Sequence, residues 1–406
     1  MSGMPPRARA PLATLATLVM VCAVAPASTN IVMPALPAIQ AEFGVATSTA
    51  QLLVSLSILC VAVSTLVYGP LSDRYGRRPV LLVGMALFLL GSVVCAVAPT
   101  IGVLIAARVV QAVGGAAGLV LTRAIVRDMF DRESTARVLA YLTMAMVIAP
   151  MLSPLAGGVL TDTVSWRAIF VFTTVAGVVV LLAVILRLPE TRAAAPDSAG
   201  AASMLRGFAA LLRSPAFCGY AIQSAVLMSM FYVFTATTPY LMVFVFQRPA
   251  TEYGLYFMML SVGYIFGSFA STRLTPRIGI DRTILIGSVF CVLGGAGVFS
   301  LAVGGVWGPL ALFLPLALST MANGLAQPNL QAGAVSINPA LAGSASGFLT
   351  FAQMALAGVS TQFVVAFEHD SPVPLGATLL VMSTIGLVAL GGALRLEHRR
   401  RIKTSA

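Results

Sequence analysis

Arg108 stands alone as a charge well inside a long apolar run, near residues 101–123. A cation near the centre of a bilayer costs about 2.5–3.5 kcal/mol even on the lenient insertion scale, so its guanidinium must face protein or water rather than lipid. The fixed fork of N–H donors can hold a carboxylate, a phosphate or carbonyl oxygens, and Gln111 adds an amide one turn along. Asn30 lies seven residues before Pro37 and Arg108 seven after Ile101. At about 1.5 Å per residue, each sits roughly 10 Å below the same membrane edge. The two can share one polar cavity.

No carboxylate accompanies them. Among the 13 acids, Asp73, Asp128, Asp131, Glu133, Glu190, Asp197, Asp281 and Glu397 fall at loops of one side, and Glu42, Asp162, Glu252, Glu368 and Asp370 at loops of the other. His369 and His398 sit at opposite faces, and Cys22, Cys60, Cys95, Cys218 and Cys291 lie in apolar runs without ligand spacing. Nucleophiles, acids and bases are thus never brought within reach of one another, so neither an enzyme nor a metal centre is expected. No phosphate-binding loop is present, so no nucleotide is expected either. Softer cavity candidates are Met33, Met146, Tyr232, Tyr240 and Gln353, with Met228, Phe231, Phe234, Tyr264 and Gln362 behind them. Met and aromatic surfaces adapt to varied apolar ligands, while an amide in lipid needs a partner.

Two further segments carry mechanical rather than binding chemistry. In GPLSDRYGRRP (69–79), Gly69 lets a neighbouring helix approach, Asp73 can face a helix N-terminus, and Arg77, followed by Arg78, can pair with an acid such as Asp128. Asp73, Arg77 and Asp128 would then form a latch whose breaking opens that side. In APMLSPLAGG (149–158), Pro150 and Pro154 remove intrahelical hydrogen bonds, while Gly157 and Gly158 permit close helix contact and bending.

The elements that must position these residues follow from composition. The chain is 59 % hydrophobic and 9 % charged, with a mean hydropathy of +0.97, so lipid is its solvent. Apolar runs near the ~20 residues needed to cross a bilayer recur twelve times, from 12–37 to 374–395, without the alternation of a barrel. An all-α membrane fold of two six-helix bundles is expected: 1–188, a linker at 189–215 with a short surface helix at 203–213, and 216–406 ending in a basic tail. Residues 11–27 resemble a signal peptide faintly, but the apolar pattern runs on to Ile39, and an uncleaved first span is expected. Of 24 Lys and Arg residues, 21, including Arg7 and Arg9, fall in or beside alternate loops, which puts both termini in the cytoplasm. The net charge of +11 follows those loops, and no basic fold or aromatic platform points to nucleic acid.

The segment 69–79 closely resembles the cytoplasmic signature of the major facilitator superfamily. Arg108 to Gly115 is similar to the same superfamily's fourth-span signature, and residues 149–158 to the fifth-span motif of its drug/proton antiporters. Finer resemblance, in STNIVMPALP (28–37), RAIVRDMF (123–130) and SWRAIF (165–170), points to the Bcr/CflA type, the bicyclomycin and chloramphenicol resistance branch. The resemblance is dense over 28–190 and weak afterwards. It implies a monomeric transporter of the bacterial inner membrane that needs no cofactor, uses the proton gradient, and exports small, largely apolar drugs or metabolites by alternating access. Asn30 stands where that branch commonly carries an aspartate, which leaves proton coupling on the resemblance alone. A specific neutral or anionic metabolite remains the alternative cargo.

The charge pattern makes a direct prediction. A phosphatase reporter fused after residue 250 should be active outside the cell, and one fused after residue 279 silent; equal activity at both would overturn the topology.

Overall fold

The computed structural model describes residues 12–130, 132–191, 201–364 and 371–405. The expectations at Arg7, Arg9, Asp131, Asp197, Glu368, His369 and Asp370 lie outside them, as do the side chains of Glu133, His398 and the basic tail from 398 onward. Among the described residues there are twelve helices long and apolar enough to cross a membrane, and no strands.

The first span is α1 (Leu12–Asn30), a 3-10 turn at Met33–Ala35 and α2 (Leu36–Phe43); Pro34 and Pro37 cannot donate to a continuing helix and break it there. Then follow α3 (Thr47–Tyr75), α4 (Arg77–Ala96), α5 (Ile101–Met129), α6 (Arg132–Thr163) and α7 (Trp166–Arg187). A short α8 (Ala201–Leu211) comes next, close to the expected surface helix, with Phe208 against Phe348. The remaining spans are α9 (Pro215–Tyr240, prolonged by a π turn to Val245), α10 (Ala250–Ile278), α11 (Ile280–Val303), α12 (Pro309–Ser336), α13 (Ala342–Val364) and α14 (Val373–Ser405). The tail expected as a loop from 396 instead continues α14 without a break.

Small residues set the packing, as helices in lipid gain little from hydrophobic burial against one another. Within the first set, a Cβ on Gly114 would stand 2.3 Å from the Phe88 backbone, and one on Gly118 2.6 Å from the Val21 carbonyl. Within the second, Gly267 lies against Met321 and Gly324 against Tyr264, both closer than any larger residue allows. The turns α3 to α4 and α10 to α11 both pivot on a glycine at positive φ, Gly76 (+94°) and Gly279 (+88°), where an L side chain is strained. The segments 69–84 and 267–287 thus share a turn.

The two sets meet mainly through α6 with α10 and α3 with α13, at one membrane face. A Cβ on Gly158 would lie 2.4 Å from the Ala250 carbonyl, and one on Gly254 2.4 Å from Leu155. Asp162 closes this contact electrically: its carboxylate accepts from the backbone N–H groups of Ala250 (3.3 Å) and Thr251 (2.7 Å) and from the Thr251 hydroxyl (2.6 Å). It thereby caps α10, a helix of the other set, complementing the positive end of that helix's dipole. On the α3 side, Gly358 abuts Ser55 and Leu59, and Gln362 accepts from the Ser55 hydroxyl and donates to the Ser48 carbonyl. One large apolar core joins residues of both sets at this face.

Crowding at this face should be measurable. Gly158→Val should lower the thermal stability of the purified chain by about 1–3 kcal/mol through overpacking. Gly391→Val, where a Cβ meets open space, should stay within about 0.5 kcal/mol of wild type.

Candidate functional site

Below the sealed face lies a cavity of about 1310 Å³ including its mouth, walled by both sets of helices. Arg108 projects from α5 and is only 2 % exposed, so the guanidinium faces the protein interior and not lipid. Nη1 donates to the Ser28 carbonyl at 3.3 Å and to Gln111 Oε1, and the Gln111 amide passes the chain on to the Ser92 hydroxyl at 2.7 Å. The ring of Phe170 lies 5.9 Å from Cζ, within reach of a cation–π attraction. No carboxylate stands among the residues lining the cavity. Gly91 explains why Gln111 and Ser92 meet: it brings α4 so close to α5 that a Cβ there would fall 2.5 Å from the Gln111 backbone.

Asn30 ends α1 at the cavity roof. Its Nδ2 donates back to the Pro26 carbonyl at 2.9 Å, while Oδ1 is buried with no partner among the described residues, as is Nε of Arg108. Both atoms are buried within the same wall of the cavity.

Five of the eight expected cavity residues line it: Asn30, Arg108, Gln111, Met146 and Tyr232, together with Met228, Phe231 and Tyr264 from the softer set. Three do not. Met33 is wholly buried in the seal, because the 3-10 turn after Ile31 rotates it off the face that a continuous helix would share with Asn30. Tyr240 lies beyond the roof, stacked with Phe244 at 6.3 Å. Gln353 points into the second set, where it donates to the Ser224 hydroxyl at 2.6 Å; Met354, one residue and about 100° round the helix, takes its place at the cavity. Phe234 and Gln362 are likewise spent on packing and on the seal. Polar residues on α12, Thr320, Asn323 and Gln327, line the opposite wall and were not anticipated, although an amide pair four apart in an apolar run is a readable signal.

Near the other face, Arg77 is 6 % exposed and gathers its expected partners: Nη2 reaches Asp73 at 2.8 Å and Nε reaches Asp128 at 3.1 Å, with Ser72 also accepting. An unexpected acid completes the cluster. Glu190 accepts from the backbone N–H groups of Arg77 (3.0 Å) and Arg78 (3.2 Å), capping α4, and Arg78 donates to the Ile185 carbonyl. Apart from Glu190, at the start of the expected linker, these contacts lie within the first set. The expected cluster of Asp73, Arg77 and Asp128 is formed while the cavity is sealed at the opposite face. One expectation is corrected here. Gly69 admits no neighbour, since a Cβ there would meet open space; α3 meets α13 only toward its other end.

The motif of α6 divides by depth. Pro150 lines the cavity, whereas Gly157 lies against the Ile31 carbonyl, Gly158 against Ala250, and the Pro154 carbonyl against Gly254. Gly158 belongs to the seal between the sets, while Gly157 packs α6 onto Ile31 within the first set.

The Major Facilitator Superfamily model matches residues 18–361. Multidrug resistance protein D of Escherichia coli (strain K12) is 29 % identical over 387 residues, covering 95 % of this chain and 97 % of that one. The Bicyclomycin resistance protein homolog of Haemophilus influenzae is 25 % identical over 339 residues, covering 81 % and 83 %. Among solved structures, a bacterial homologue of the human lysosomal transporter Spinster, inward-facing and unoccupied, superposes with a TM-score of 0.73 at 17 % identity over 95 % of this chain and 96 % of that one, a likeness of fold. Signature segments, twelve spans, a cavity between two helix sets and these relatives agree: the chain is a transporter, not an enzyme, and belongs to the major facilitator superfamily.

Proposed function

We propose that this chain exports small, largely apolar molecules from the cytoplasm across the bacterial inner membrane, by alternating access and in exchange for protons. The moving units are 1–188 and 216–406, joined by the linker 189–215, in a monomer with both termini cytoplasmic. The reading is carried by one observation: a mostly apolar cavity, sealed at one face by glycine contacts, holds a buried guanidinium and an amide with unused hydrogen-bonding groups. In this conformation the cavity faces the basic loops, hence the cytoplasm. Export then requires the α6–α10 seal to part while the opposite ends close, a rigid rocking of one set against the other. Asp73, Arg77, Arg78 and Asp128 keep the ends of α3, α4 and α5 rigid during the movement.

Cargo selection follows from charge. Arg108 lacks a buried counter-ion, so it repels lipophilic cations and favours neutral, zwitterionic or anionic molecules. The same feature supports a second reading, a dedicated carrier of one neutral or anionic metabolite. A susceptibility panel in an efflux-deficient host, with and without a collapsed proton gradient, separates the two: several protected compounds support drug efflux, and none supports the metabolite carrier.

Two substitutions test the charge argument. Arg108→Ala should lower export of anionic cargo about tenfold or more, and Asn30→Asp should raise acceptance of a cationic dye. A wild type that prefers cationic dyes, unaffected by either change, would refute it.

A further inference from the structure

The wall facing Arg108 carries a second polar group with no assigned use. Gln327 on α12 is 5 % exposed and lines the cavity, yet neither its Nε2 nor its Oε1 has a partner among the described residues. Leaving such an amide buried and unsatisfied is costly, so its retention calls for a function. Its orientation is fixed by its neighbours. A Cβ on Gly324 would lie 2.2 Å from the Tyr264 carbonyl, and Ala326 lies under Gly287, so α12 is pinned to α10 and α11 on those sides. Gln327 is left on the cavity side.

Depth separates it from the guanidinium. Gln327 is eighteen residues into α12 from the sealed face and Arg108 seven into α5. At about 1.5 Å per residue, Gln327 stands roughly 16 Å nearer the cavity mouth. Asn323, one turn deeper, spends its Nδ2 on the Leu227 carbonyl at 3.4 Å, and the Thr320 hydroxyl donates to the Leu260 carbonyl at 2.8 Å. Gln327 is the member of this row with both amide atoms unengaged.

We propose that Gln327 is a specificity-determining residue at a second station of the cavity, selecting cargo that carries an adjacent donor and acceptor, as in an unsubstituted carboxamide, on an apolar body. Resting on the export reading above, this adds a group recognised separately from Arg108. A carboxamide offers N–H to Oε1 and C=O to Nε2 together, a bidentate match. Alkylating the nitrogen removes the donor and leaves Oε1 unpaired, and a site built around a hydrogen bond discriminates strongly against such an analogue.

The test uses the full chain in lipid nanodiscs and three fluorescent probes with one apolar body: dansylglycinamide, its N,N-dimethylamide and the carboxylate dansylglycine. Wild type should bind the primary amide about tenfold or more tighter than the dimethylamide. Gln327→Leu should erase that preference and still bind dansylglycine, which also shows that the variant is folded; Gln327→Asn should restore part of it. Arg108→Ala should do the converse, losing the carboxylate and keeping the amide preference. Equal affinity of wild type for the two amides, or a preference that survives Gln327→Leu, would overturn the proposal. Failure of the export reading shows differently, as absent flux in proteoliposomes while the binding pattern stands.

Discussion

A positive charge held in a membrane interior without a negative one beside it is the constraint around which this molecule is arranged. Arg108 can remain there only because polar groups replace water: a backbone carbonyl freed near the end of α1, a glutamine oriented by a serine on the next helix, and an aromatic face. Each of these has its own structural requirement. The Ser28 carbonyl is available because the helix is about to end before Pro34, and Ser92 reaches Gln111 because Gly91 removes the side chain that would keep α4 and α5 apart. Nε of Arg108 and Oδ1 of Asn30 are left without a hydrogen-bond partner among the described residues.

The same economy of atoms governs the seal. At the closed face, backbone meets backbone through Gly158, Gly254 and Gly358, and Asp162 borrows two N–H groups that any helix start leaves unpaired. Such an interface is held by packing, by one shared carboxylate and by the hydrogen bonds of Gln362 to Ser55 and Ser48, without a dense network of ion pairs among the described residues. It can be firm in one state and still part as a unit, because the glycine contacts lose only dispersion energy and the freed N–H groups can turn to water. At the opposite face the charges around Arg77 are spent inside the first set, stiffening it. Rigid sets and a separable seam are the mechanical conditions for rocking.

Sequence reasoning reached the spans, the buried arginine with Gln111, and the Asp73–Arg77–Asp128 cluster, because each is a local or periodic signal. It failed where a side chain's direction depends on a departure from regular helix. Met33 was misplaced by the 3-10 turn, and Gln353 by one residue of helical phase, about 100°. It also missed contacts between distant segments. Nothing in the neighbourhood of Asp162 or Glu190 announces that one caps α10 and the other α4, since capping across helices depends on tertiary placement. Gln327 was visible by the logic that selected Gln353, an amide in an apolar run. The structure reverses their roles, pairing Gln353 with Ser224 and leaving Gln327 toward the cavity.

The energetics of export follow from the same charge distribution. With Asn30 in place of an acid, the cavity wall offers no carboxylate to pick up a proton, and the acids of the described structure sit at the two faces: Asp128 and Asp73 on Arg77, Asp162 across the seal. Under the proton-exchange proposal, a proton would act on the contacts that set conformation, not by displacing cargo from a shared buried carboxylate. An anionic cargo would lighten the task further. Leaving a cell that is negative inside releases about 2.3 kcal/mol per elementary charge for every 100 mV. On the export proposal, a cavity built around a lone guanidinium would favour the class of molecule whose export depends least on a buried proton carrier.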